Sequence, residues 1–205
     1  MKVFSLELGI CGVCTYIIEG NSGECVIIDP GDEREKIENV LDENSLTPKA
    51  VFLTHGHFDH IGEVDYFRKK YSCPLFVHKN EVKMIADPAL NMSNRFSQEP
   101  ISILFPENLL DDGDIIHSAG MEFSVIHTPG HSPGCVVYRC GDSLFTGDTL
   151  FDGCSGRWDF VGGDREVLKK SLDKIFEIKE DLKVYPGHNN STTLNKQRSI
   201  YKYFA

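Results

Sequence analysis

The amino-acid sequence predicts a four-layer α/β sandwich, two β-sheets face to face with helices on their outer sides. Three observations carry that prediction. Short apolar runs rich in β-branched and aromatic residues are bounded by turn formers, the order strands-then-helices occurs twice, and no linker separates the two rounds. At 205 residues, 40% hydrophobic and 25% charged, the chain can bury a sizeable core and is expected to form one domain spanning 1–205.

The first round opens with KVFSLEL, CTYIIEG and CVIIDPG, three strands separated by Gly, Asn and Ser and read as a meander. DEREKIENVLDENS follows as a helix over the sheet: Ile37, Val40 and Leu41 recur at helical spacing, acidic residues occupy its first turn, and Pro48 lies beyond its end. AVFLT is continuously apolar, as a strand buried on both faces must be; GEVDYFRKKY then reads as a helix and PLFVH as a strand. Between Asp87 and Asp112 periodicity is weak and turn formers are frequent, which predicts an irregular loop over one rim. The second round has the strands DIIHSA, MEFSVIHT, GCVVYRCG and DSLFTGD, a loop through FDGCSGRWDFVGG, the helix DREVLKKSLDKIFEIK, the strand LKVYP and a closing helix STTLNKQRSIYKYF.

A net charge of -10 and a pI near 5.2 argue against nucleic acid as a partner, because polyanion binders need a basic surface. A small molecule is the expected partner, an anionic one included, since divalent ions held by few carboxylates leave a local positive excess. No run approaches the roughly 20 apolar residues of a membrane span, and MKVFSLELGICG alternates apolar with polar residues unlike a signal peptide. Seven cysteines, an odd count without a secretion signal, fit free thiols in a reducing, cytoplasmic setting. The oligomeric state has no signature.

The chemistry concentrates in LTHGHFDHIG, where His55, His57, Asp59 and His60 crowd within six residues after the apolar run AVFL. Four titratable groups at one strand end need an external partner, and a metal ion satisfies them all. His131 in SVIHTPGHSPG, Asp148 in SLFTGDT and His188 in LKVYPGHNN repeat the arrangement, each a ligand-type side chain beside a glycine at a strand end. Imidazoles with carboxylates, and no cysteine among them, suit an open catalytic site for zinc, iron or manganese better than a closed structural zinc site.

His-x-His-x-Asp-His followed by His131, Asp148 and His188 resembles the metallo-β-lactamase superfamily over nearly the whole chain. The resemblance implies that family's αββα sandwich and two divalent metals, zinc expected, with iron or manganese as alternatives. It implies a first metal on His55, His57 and His131, a second on Asp59, His60 and His188, and Asp148 bridging them. GCSGRWDFVGGD is similar to a loop of the glyoxalase II and persulfide dioxygenase branch, and YPGHNNSTT to a stretch of short glyoxalase-II-like hydrolases; neither belongs to the antibiotic-hydrolysing branch. The extra C-terminal helical domain with which glyoxalase II binds glutathione has no counterpart before Ala205. The implied activity is hydrolysis of a thioester such as a hydroxyacylglutathione by a metal-bridging hydroxide, with Asp59 orienting it. The rivals are a mononuclear iron persulfide dioxygenase and a non-catalytic metal or redox module.

Other residues invite blander readings. His78, His117 and His127 are expected to be structural or surface groups, with a supporting role at the site open for His127. Cys11 and Cys14 lie in a meander, not at a helix start, which disfavours redox chemistry. Cys154, in the loop that carries Arg157, reads as a buried, inert thiol, with a place in the pocket lining as the alternative. Arg157 is a candidate substrate-binding residue, a bidentate grip for a carboxylate, or else a tie to Asp159 or the backbone of its loop. Lys196, Arg198 and Lys202 read as a solvated helix face.

Overall fold

The computed structural model describes residues 1–201. One sheet contains β1 (Lys2–Leu8), β2 (Val13–Glu19), β3 (Glu24–Ile28), β4 (Thr47–Phe52), β5 (Leu75–His78) and β6 (Asn108–Leu110) in that spatial order. The first three are antiparallel, and β3 to β6 run parallel. The other sheet contains β7 (Ile115–Ser118), β8 (Met121–His127), β9 (Val136–Cys140), β10 (Ser143–Gly147), β11 (Lys183–Pro186) and β12 (Thr192–Thr193), again adjacent in sequence order and antiparallel except at β10/β11. The helices are α1 (Arg34–Glu43), α2 (Phe58–Ile61), α3 (Val64–Tyr71), α4 (Val82–Ala86), α5 (Ser93–Phe96), α6 (Arg165–Phe176) and α7 (Leu194–Ile200).

Why the early strands read as unbroken apolar runs is now explicit. Successive side chains of a strand point to opposite faces, and here both faces are covered. Ile18, Val26, Ile28 and Phe52 enter the layer between the sheets with Phe123, Val125, Val136, Tyr138 and Phe145. Ile17, Ile27 and Val51 turn outward to Ile37 and Leu41 of α1 and to Val64 and Phe67 of α3. On the other sheet Val137, Leu144 and Val184 meet Leu168, Leu172 and Ile175 of α6. These are the four layers. Tyr16 and Tyr138, buried between the sheets, donate their hydroxyls to the carbonyls of Pro186 (2.6 Å) and Leu53 (2.8 Å), pinning one sheet to the other.

The expected loop from 87 to 112 is in part ordered structure. Asn91 and Ser93 are fully buried: the Asn91 side chain accepts from the Ser93 N–H (2.9 Å) and donates to the Ile101 carbonyl (2.9 Å), which holds α5 in place. β6 adds three residues to the sheet edge by pairing with β5. A four-residue helix and a three-residue strand are too short to leave a periodicity. The 3-10 turn Lys79–Glu81 and α4 also lie where no element was expected. The closing helix starts later than expected, at Leu194, because Thr192 and Thr193 pair with β11; the Thr193 hydroxyl then caps it from the Lys196 N–H. Lys202 and the predicted end of that helix lie outside the described residues.

Candidate metal centre

Parallel neighbours end at the same rim of a sheet, and that rim carries the chemistry. The ends of β3 and β4 bring Asp29 beside Thr54, and the chain beyond β4 supplies His55, His57 and, through α2, Asp59 and His60. From the facing sheet, β8 leads to His131, β10 to Asp148 and β11 to His188. All seven predicted metal-site residues are brought together, in three overlapping sets: His55, His57 and His131; His55, His60 and Asp148; Asp59, His60 and His188.

In the first set the ring nitrogens face one another: His55 Nε2 and His57 Nδ1 are 3.1 Å apart, His57 Nδ1 and His131 Nε2 2.8 Å, His131 Nε2 and His55 Nε2 3.2 Å. Tautomers follow from the outer partners. His131 Nδ1 donates to the Arg157 carbonyl (2.7 Å), and His55 Nδ1 faces Thr54 Oγ1 (3.2 Å), whose own hydrogen goes to Asp29 (2.6 Å). At least two lone pairs therefore converge on one point. Burial, then His60, drives the His55 imidazolium well below its ordinary range; burial, then His131, pushes His57 down to about 3. His55 and His57 thus stay neutral, as metal ligands must.

The second set is anchored the same way. His60 Nδ1 donates to Asp29 Oδ2 (2.9 Å), and His188 Nδ1 to the carbonyls of Cys11 (3.2 Å) and Gly12 (3.3 Å), leaving both Nε2 atoms pointing inward. His188 Nε2 lies 3.4 Å from Asp59 Oδ2 and 3.6 Å from Asp148 Oδ2; His60 Nε2 lies 3.4 Å from Asp148 Oδ1. His60 Nε2 and Asp148 Oδ1 are buried without a hydrogen-bond partner. They face each other at 3.4 Å without good hydrogen-bond geometry, and a divalent cation between them would satisfy both. Burial alone would raise the Asp148 carboxyl, but His60 and His131 hold it well below the usual carboxylate range. The clustering of these imidazoles and carboxylates fits divalent cations, which these residues would hold.

Glycine is needed where the strands crowd the site. A Cβ on Gly187 would lie 2.2 Å from Asp148 Oδ1 and 2.9 Å from His60 Cε1, so only a hydrogen fits there. Two buried carboxylates that sequence reasoning missed hold the ligand loops. Asp29, in the left-handed region at φ 50°, accepts from the Thr54 N–H (2.8 Å), the Thr54 hydroxyl and His60. Glu81 accepts at Oε2 from the Gly56 N–H (2.8 Å), between His55 and His57, and at Oε1 from the Gly134 N–H (2.6 Å) and the Ser132 hydroxyl (2.7 Å), beside His131. Asp29 had a signal, an acid at a strand end before Pro-Gly; Glu81 had none, because its partners are distant in sequence.

The open side of the centre is a cavity of about 380 Å³ lined by Phe58, Met92, Phe96, Phe151 and Phe160 with Cys11 and Arg157. Arg157 stands at its rim, bidentate to Asp159 (2.9 and 2.8 Å) with its guanidinium over Phe160, so of its two expected roles the structure displays the tie within the loop. His127 stays away from the centre and stacks on His78 (centroids 3.9 Å apart). Lys196 pairs with Asp152. Among the described residues no helix is long and apolar enough to cross a membrane.

A face-to-face pair of mixed sheets with a histidine and aspartate cage at one rim defines a class: the chain belongs to the metallo-β-lactamase superfamily, whose domain model matches residues 8–188. It is 37% identical to the probable metallo-hydrolase YqgX of Bacillus subtilis, over 82% of each chain, and 30% identical to the hydroxyacylglutathione hydrolase GloC of Haemophilus influenzae, over 89% of this chain and 88% of that one. Among solved structures, the B3 metallo-β-lactamase BLEG-1 superposes with a TM-score of 0.91 at 39% identity, covering 97% of both chains. TTHA1623 in a di-iron-bound form superposes with a TM-score of 0.85 at 34% identity, covering 97% of this chain and 98% of that one.

Proposed function

We propose that the protein is a dinuclear metal-dependent hydrolase of acyl thioesters. The observation that carries the reading is the pair of donor sets on either side of Asp148, His55, His57 and His131 against Asp59, His60 and His188. Zinc is the first choice for both; the di-iron-bound neighbour supports iron as the alternative. When bound, two such ions supply the Lewis acidity that makes water nucleophilic near pH 7 and polarises a carbonyl.

The chain's own groups do the rest. Burial opposes ionisation of Asp59, but His60 and His188 outweigh it and lower its pKa, so at neutral pH the carboxylate is an acceptor that orients water at the cavity floor. Phe58, Phe96, Phe151 and Phe160 wall the cavity and limit bulk water. A thiol with a pKa near 8.5 leaves as thiolate without a strong general acid, which fits a lining whose titratable groups, apart from Cys11 and Arg157, are the ligands themselves. Similarity to a hydroxyacylglutathione hydrolase supports the thioester class. A persulfide dioxygenase with one iron would leave the second donor set idle, and the completeness of that set favours hydrolysis.

The test is elemental analysis of protein purified without added metal, together with anaerobic thiol release from acyl thioesters, S-lactoylglutathione among them. Two metals per chain with thiol release support the reading. One iron with oxygen uptake on glutathione persulfide, or turnover of a chromogenic cephalosporin well ahead of every thioester, refutes it.

A further inference from the structure

The aromatic cavity continues outward. It shares Cys11, Phe58, Asp59 and Phe96 with a second hollow of about 550 Å³ that runs along Leu8 to Val13, past Asp32 and Glu63, to Gln98 and Ile101. The two lobes differ in chemistry. The inner one, against the metal ligands, is walled by Phe58, Met92, Phe96, Phe151 and Phe160, with Phe58 and Phe96 stacked at 5.7 Å. The outer one is more polar, and its charged lining other than Asp59 is acidic: Asp32 and Glu63.

Charge compensation is uneven. Glu63 is neutralised from behind by Arg34 (2.9 Å). Asp32 accepts the Glu33 N–H (2.6 Å) and forms no ion pair among the described residues. Arg157 is the one Lys or Arg side chain lining either lobe, and both its Nε and its Nη2 are occupied by Asp159. A ligand arm bearing carboxylates therefore finds a repelling aspartate and no uncommitted guanidinium or ammonium. An arm that is neutral or carries an amine is accepted.

Resting on the thioesterase reading and narrowing it, we propose that the substrate is a thioester with an apolar acyl group, seated in the aromatic lobe, on a neutral or amine-bearing thiol carrier that exits past Asp32. The assignment of the two halves follows from polarity. A hydrocarbon chain gains most from the apolar inner lobe, each buried methylene contributing up to about fourfold in apparent affinity, while the carrier's polar atoms stay hydrated in the outer one. A carrier with two carboxylates, as in glutathione, is disfavoured by the same charges.

The experiment uses the metal-loaded full-length protein and measures kcat/KM on two series. Acetyl, butanoyl and hexanoyl thioesters of N-acetylcysteamine vary the acyl group; hexanoyl thioesters of N-acetylcysteamine, of glutathione and of N-(β-alanyl)cysteamine, whose amine lies too far from the thioester for an intramolecular S-to-N acyl shift, vary the carrier. The expected rise from acetyl to hexanoyl is at least about thirtyfold, and Phe96→Ala and Phe96→Leu, at an exposed position, flatten it in that order. The β-alanylcysteamine carrier is favoured over glutathione by about tenfold or more at low salt, and Asp32→Asn or high salt brings the ratio to within about threefold. A flat acyl series, or glutathione favoured over β-alanylcysteamine, overturns this inference and leaves the thioesterase reading intact. No turnover of any thioester overturns both.

Discussion

Glu81→Gln is the sharpest probe of how the centre is held. The carboxylate is fully buried and accepts three hydrogen bonds, one from the Gly56 N–H and two from Gly134 and Ser132. Glutamine has a single acceptor oxygen. If that oxygen keeps Gly134 and Ser132, its NH2 group confronts the Gly56 N–H; if it keeps Gly56, the NH2 confronts the Gly134 N–H. Either way a buried backbone donor loses its partner, at about 1–3 kcal/mol, and the remaining bonds lose their charge assistance. Part of this is returned, because burial raises the Glu81 pKa and the neutral amide escapes that penalty. The net expectation is about 2–3 kcal/mol, or roughly 5–10 °C in Tm for a chain of this size. Because Gly56 sits between His55 and His57, and Ser132 next to His131, metal affinity in the first donor set should fall about 10–100-fold. Thermal unfolding of metal-free protein reads the first number and competitive chelator titration the second. Stability within about 0.5 kcal/mol of wild type, with unaltered affinity, refutes the role given to Glu81.

Asp29→Asn weakens the anchoring of His60 and Thr54 together, so metal content should drop from two towards one per chain while the first donor set stays loaded; unchanged stoichiometry counts against the anchoring. Gly187→Ala drives a methyl group into Asp148 and His60, and turnover should fall at least about 100-fold with circular dichroism preserved; near-normal turnover would mean the crowding is absent. His78 supplies a pH dependence. Burial, then the stacked His127, pushes it down to about 4, against the opposing pull of Asp111 and Asp112, with Lys79 adding to the repulsion. The unfolded chain, with histidine near 6.5, binds the proton more readily, so this stability is complete above pH 6.5 and is lost as pH falls from 6.5 to 4, by at most about 3 kcal/mol. Urea titrations of wild type and His78→Phe across that window should diverge, the variant losing less; parallel curves contradict the assignment.

What could be read in advance follows from where the determining forces lie. The continuous apolar runs of β2, β3 and β4 are local consequences of two-sided burial, so the layered architecture was visible in them. The candidate metal residues were visible because His55, His57, His131, Asp148 and His188 each stand next to a glycine just beyond a strand and Asp59 and His60 crowd in beside the first two, patterns confined to a few neighbouring residues. Glu81 lies at the other extreme. Its placement is decided by Gly56 and Gly134, 25 and 53 residues away, and nothing within its own 3-10 turn marks a buried acid. The segment carrying α5 and β6 was hidden for a related reason: its order comes from buried Asn91 and Ser93 bonding to the backbone near Ile101, polar contacts that mimic a loop in composition.

The most direct measurement is an anomalous-difference crystal structure of the metal-loaded protein. Two peaks are predicted, one within coordination distance of His55, His57 and His131 and one of Asp59, His60 and His188, with the Asp148 carboxylate between them. A single peak, or peaks away from these side chains, contradicts the account.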